Sequence, residues 1–97
     1  MAKGYWVAHV DVKDPDRYKL YVEGAAAAFK EFDAKFQARG GDHEILEGEL
    51  GGTRHVIIEF EDLATAKACW SSPAYQAARE HRLAASKGSV MIVEGVE

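Results

Sequence analysis

Two stretches of the chain repeat one pattern. VAHVDVKDPDRYKLY at residues 7–21 and VIIEFEDLATAKACW at residues 56–70 each run from an alternating apolar segment, through an acidic residue, into helical spacing. In the first, Trp6, Ala8, Val10 and Val12 share one face of a strand over Gly4–Val12, while Tyr5, Val7, His9 and Asp11 share the other. Asp14-Pro15 then supplies an N-cap and a proline at the first helical position, where its missing N–H does no harm. The helix that follows carries Tyr18, Tyr21, Val22, Ala25, Ala26, Phe29 and Phe32 at three-and-four spacing. Gly24 inside it costs about 1 kcal/mol relative to alanine and marks a close contact.

Between the two repeats, Phe36–Arg39 and His43–Glu49 are expected as strands joined by Gly40-Gly41-Asp42, because glycines supply the positive φ values of tight hairpins. RHVIIEFE, residues 54–61, is the strongest strand pattern. Asp62 caps a second helix with Leu63, Ala66 and Trp70 on one face. Ser72-Pro73 opens a further helical segment, AYQAAREHRLAAS, stopped by Gly88, and a last strand covers Ser89–Val96. Two strand–cap–helix units interleave, through right-handed crossovers, into a sheet of order 4-1-3-2. The fold class expected is α+β: a ferredoxin-like βαββαβ sandwich, one domain over residues 1–97, with a four-stranded antiparallel sheet.

One face of that sheet carries the helices and the other needs a cover. Val7, Ile57, Met91 and Val93 fall on the uncovered face, and two such sheets meeting face to face would bury them. A domain this small hides only about 60 to 68% of its unfolded surface, which also favours a partner. The expected assembly is a homodimer in which paired sheets form an α/β barrel. With a net charge of −4 and no basic run, nucleic acid is not an expected partner. The first residues lack the apolar core of a signal peptide and no stretch approaches the ~20 apolar residues of a membrane span, so neither secretion nor a membrane is expected. A single cysteine, Cys69, forms no internal disulfide, and the location expected is cytoplasmic.

GYW near the start, HVDVKDPDRY, RGG, LEGE, VIIEF, SSPAYQAAREHR and the closing VEG together resemble domain-of-unknown-function family 1330, within the dimeric α/β-barrel superfamily. The resemblance spans essentially the whole chain. It implies a ferredoxin-like protomer and a barrel-forming dimer, and no established activity. The wider superfamily includes cofactor-independent monooxygenases, isomerases and haem-dependent members; fold analogy does not choose among them.

Candidate chemistry comes from shared faces. His9 and Glu59 fall on the uncovered face of neighbouring strands, where a carboxylate beside an imidazole would tune an acid/base group; these are the catalytic candidates, weighed against a purely structural polar pair. Tyr75, Arg79 and Arg82 lie at i, i+4 and i+7 and, with Trp70, are the candidate ligand-binding set for a small organic acid or an aromatic molecule. Surface ion pairing explains the arginines as well. Asp42, His43 and Glu44 follow two glycines, but adjacent strand residues diverge and no HExxH or CxxC spacing is present, so no metal is expected. No cofactor motif is found, and none of the four histidines lies in a haem-ligation motif. Cys69, beside Trp70, reads as packing. Function is thus expected to be small-molecule binding, with cofactor-independent acid/base or oxidative chemistry as its enzymatic form; a structural dimer is the alternative.

Overall fold

The computed structural model describes residues 2–97. Its elements in chain order are β1 (Gly4–Val12), α1 (Pro15–Glu31), β2 (Lys35–Arg39), β3 (Arg54–Phe60), α2 (Leu63–Ser71), α3 (Pro73–Ala85) and β4 (Ser86–Glu94). The sheet order is β2-β3-β1-β4 with every neighbour antiparallel, the ferredoxin-like arrangement expected from the repeated unit.

The helices begin where the capping residues dictate. Asp14 accepts from the Arg17 N–H at 3.2 Å, Asp62 from the Thr65 N–H at 2.7 Å, and Ser72 from the Tyr75 N–H at 3.3 Å. Proline follows two of these caps, Asp14 and Ser72. β1 lies at the centre and its alternation sorts side chains between two layers. Trp6 packs with Val56, Ile58 and Phe60 of β3 beneath the helices, while Val10 packs with Tyr18 and Ala85; both are 2% exposed. The Trp6 ring lies 4.8 to 5.7 Å, centroid to centroid, from Phe29, Phe60, Trp70 and Tyr75. Its indole N–H donates to the Ala66 carbonyl at 2.9 Å. α1 and α3 lie side by side above them, and a Cβ on Gly24 would stand 3.1 Å from that of Ala78, the close contact the glycine signalled.

Three local features differ from the sequence expectation. His43–Glu49 is exposed loop rather than strand. The outer edge of β2 stays open, but the stretch offers only the adjacent pair Ile45-Leu46, which forms no apolar row on either face. At the other end, β4 starts at Ser86, and Gly88 pairs with Val10 within the ladder instead of stopping a helix. The helix is terminated by other groups: the N–H groups of Lys13 and Asp14 both donate to the Ala85 carbonyl, at 2.7 and 2.9 Å, and the Ser86 hydroxyl donates to that of Arg82 at 2.7 Å. In β2 a bulge between Phe36 and Ala38 returns Arg39 to the helix side opposite Val56.

The far face of the sheet is uncovered in the protomer. Ile57, Met91 and Val93 are 38%, 55% and 41% exposed there. Among the described residues no helix is long and apolar enough to cross a membrane.

The tightest approach between layers is at Gly4, where an added Cβ would sit 2.5 Å from the Asp62 carbonyl oxygen and 2.8 Å from Leu63 Cα. Both neighbours are backbone and cannot swing away. Gly4→Ala should therefore lower stability by roughly 1–3 kcal/mol, the usual cost of overpacking. In a domain of this size that is a fall of about 4–8 °C in melting temperature per kcal/mol. An unchanged urea or thermal midpoint would show that the β1–α2 junction is looser than it stands.

Candidate functional site

α1 and α3 present their buried faces to the sheet, and the face of α3 is not wholly apolar. Tyr75, Ala78, Arg82 and Ala85 point inward at helical spacing, so the sequence places a guanidinium where the pattern calls for a hydrophobe. Arg82 is only 6% exposed. It lines a partly open cavity of about 40 Å³ between α1, α3 and the sheet. Tyr18 and Tyr21 enter from α1, Tyr75 from α3, Arg54 from β3 and Arg39 from β2, against the Trp6 ring.

The polar groups around this cavity are under-paired. The Tyr21 and Tyr75 hydroxyls lie 3.0 Å apart, so one donates to the other and the second O–H is left free. The Arg82 guanidinium carbon lies 5.8 Å from the Tyr21 ring centroid, and the buried Nε atoms of Arg82 and Arg54 make no hydrogen bond. Among the described residues the ion pair that forms is Lys13–Asp11, at 2.7 Å on the surface. No Asp or Glu lines the cavity, so a chain of net charge −4 holds a pocket of positive charge. Burial pushes the Tyr21 phenol well above its ordinary range, reinforced by Tyr75 and opposed by Arg82. Burial also raises Tyr18, while Arg54 beside it acts in the other direction. Both phenols are neutral hydrogen-bond donors at physiological pH.

The predicted ligand-binding set is divided by this geometry. Tyr75 and Arg82 face the cavity. Arg79 lies outside it, its guanidinium 5.3 Å from the Trp70 ring and 3.5 Å from the Gln76 side-chain oxygen. Tyr18 and Tyr21 were read from the sequence as part of the apolar stripe of α1, and Arg54 stood outside the predicted ligand-binding set. Arg54 carried a signal, since it shares strand parity with Val56, Ile58 and Phe60; Arg39 carried none, because only the bulge turns it inward.

His9 and Glu59 occupy the opposite face of the sheet and are not brought together. The antiparallel register sets His9 against His55 and Tyr5 against Glu59. Four residues of strand, about 13 Å, therefore separate the two candidates. Tyr5 donates to the Glu59 carboxylate at 3.3 Å, and the His9 and His55 Nδ1 atoms are 2.8 Å apart. His43 reaches back from the loop to lay its ring 4.3 Å from that of His55. Among the described residues no group of three or more His, Cys, Asp or Glu side chains is disposed to hold a metal. Cys69 is buried, its thiol pushed up to about 12 by burial and by Glu31, its sulfur 3.9 Å from the Ala28 carbonyl.

Fold and cavity together define a ferredoxin-like α+β protein with a basic, tyrosine-lined hollow beneath its helices. The chain belongs to the family described as Domain of unknown function (DUF1330), which it matches over residues 3–96. No curated protein matches it. Several solved structures share the fold. A protein of unknown function from Rhodopseudomonas palustris is 16% identical with a TM-score of 0.79, over 99% of this chain and 84% of that one. A dimeric ferredoxin-like protein of unknown function from Jannaschia sp. CCS1 is 16% identical with a TM-score of 0.71, over 98% of both chains. SnoaB, a cofactor-independent oxygenase from Streptomyces nogalater, is 14% identical with a TM-score of 0.64, over 100% of this chain and 96% of that one.

The histidine cluster yields a pH dependence of known sign. Burial first, then His43 and His9, lower the His55 pKa in the folded protein. The unfolded chain therefore binds the proton more readily, and stability is full above about pH 6.5, falling as pH drops below it. Asp62, lowered by its bonds to Thr65, acts in the same direction but only nearer its ordinary carboxylate range. The urea midpoint should decline between pH 7 and pH 5 in the native protein and far less in His55→Gln. Equal slopes would assign the decline to other groups.

Proposed function

We propose that the protein is a homodimeric small-molecule-binding protein, with each protomer holding its ligand in the cavity beneath α1 and α3. Arg82 carries this reading: a buried guanidinium facing a cavity with no carboxylate partner is costly unless a ligand completes it. Tyr75, predicted beside it, and Tyr21 and Tyr18, found with it, supply neutral donors that fix a ligand's orientation. The ligand class in this reading is a small organic acid or aromatic molecule.

The uncovered face supports the dimer. Four strands about 4.8 Å apart and about 25 Å long present roughly 500 Å² in projection, which side-chain relief brings toward the ~800 Å² per partner of a standard interface. Ile57, Met91 and Val93 supply its apolar centre. Structural neighbours from Jannaschia and from Bacteroides fragilis are described as dimeric. The free thiol of Cys69 suits a reducing, cytoplasmic setting.

The enzymatic form of the reading is cofactor-free acid/base or oxidative chemistry, favoured by the likeness to a cofactor-independent oxygenase. In it His9 and Glu59 act as separate groups on the sheet–sheet junction, His9 through His55 and Glu59 through Tyr5.

Native mass spectrometry tests the assembly: the expected species has twice the mass of the 10.7 kDa chain, and Met91→Glu should convert it to monomer. A native monomer would remove the dimer. A panel of small acids, phenols and neutral fragments, screened by NMR, tests the cavity. The expected result is selective shifts of the Trp6 indole and the Tyr21 and Tyr75 rings; a panel that leaves all three unmoved would remove the pocket.

A further inference from the structure

We infer that the cavity is a site for a short-chain carboxylate, of about two to four carbons, whose head group is held by Arg82 and by the free hydroxyl of the Tyr21–Tyr75 pair. The inference rests on the pocket reading and narrows it. Its first support is charge. Arg82 is 94% buried by difference from its 6% exposure, lines the cavity, and has a buried Nε without a partner. A guanidinium in that position faces no carboxylate among the cavity-lining residues, and a ligand carboxylate supplies two acceptor oxygens in the planar fork geometry that guanidinium donors match. One buried guanidinium calls for one negative charge; Arg54, half-buried, and Arg39, exposed, stand farther toward solvent.

The second support is the hydroxyl pair. At 3.0 Å one phenol donates to the other, which leaves a single O–H to donate to a ligand oxygen. The site thus offers donors and no carboxylate of its own, an arrangement that suits an acceptor-only ligand.

The third is size and lining. About 40 Å³ holds roughly three water-sized groups, since each requires about 10–15 Å³ measured this way. That accommodates a carboxylate with a short alkyl stem, whereas a benzene ring occupies a dry cavity of about 150 Å³. The magnitude decides against an aromatic ligand enclosed in the cavity. Ala8, Val10, Ala25 and Val56 complete the walls with hydrocarbon, which favours an alkyl stem over the all-polar surface of phosphate.

The test uses the full-length native protein at pH 7 and constant ionic strength, titrated separately with propionate, its neutral isostere propionamide, and inorganic phosphate. Binding is followed by thermal shift and by the NMR signals of Tyr21 and Tyr75. Propionate is expected to raise the melting temperature saturably and to bind at least tenfold more tightly than either alternative. Arg82→Met should weaken propionate at least tenfold while melting at or above the native temperature, because the unpaired charge is gone. Should that variant fail to fold, the comparison of probes on the native protein still decides. Propionamide binding as tightly as propionate would overturn the carboxylate while leaving the pocket in place. Phosphate binding more tightly would likewise overturn it in favour of an inorganic anion. If none of the three binds and the fragment panel also leaves the cavity residues unmoved, the pocket reading falls and the carboxylate with it.

Discussion

The placement of Trp6 organises everything above the sheet. Its ring touches one aromatic residue from each of α1, β3, α2 and α3, and its N–H is tied to a carbonyl within α2. A single side chain on the central strand therefore fixes the height and tilt of all three helices. Edge-to-face and tilted contacts at about 5 Å are directional, and each contributes about 0.5–1.5 kcal/mol beyond the area it buries. A purely aliphatic residue in its place would bury surface without specifying which way the helices lean.

The cavity is what remains beside that aromatic cluster. Toward the C-terminal end of β1 the inward residues shrink to Ala8 and Val10, Ala25 faces them from α1, and tyrosines and arginines occupy the perimeter. Small walls and polar rims are a poor recipe for stability, since voids forfeit dispersion contacts and unpaired guanidinium groups forfeit hydration. Local violation of core rules in an otherwise consistent fold is the usual mark of a working site. On the other face of the sheet the polar groups pair with one another along the ladder, Tyr5 with Glu59 and His9 with His55.

Period and punctuation carried most of the architecture. Alternation separated the two faces of β1 and β3, and Asp14, Asp62 and Ser72 marked all three helix starts by the hydrogen bonds they make. Less was legible where one signal had two uses. Gly88 reads as a helix stop in isolation, yet here it permits close pairing with Val10, and the helix is ended by donors from residues 13 and 14 that no local window includes. His43–Glu49 looked strand-like, but its two apolar residues, Ile45 and Leu46, are adjacent and would point to opposite faces, so the segment has no apolar row to hold it against the open margin of β2. Around the cavity, helical spacing put Tyr75 and Arg82 on one inward face of α3. It could not distinguish Arg82 from Arg79, because that depends on which flank of α3 faces α1 and which faces Trp70. The His9–Glu59 pairing failed for a comparable reason: parity tells which face a residue occupies, whereas distance along the strand depends on a register set by the whole ladder.

The bulge in β2 has a second consequence. β2 forms one margin of the sheet, and margins with free N–H and C=O groups are templates on which other chains can polymerise. A five-residue strand interrupted between Phe36 and Ala38, with Lys35 and Arg39 at its ends, offers no regular row for such growth. The irregularity that turns a cation toward the hollow thus also guards this flank against fibril-like extension, leaving the broad apolar face free to associate without lateral stacking.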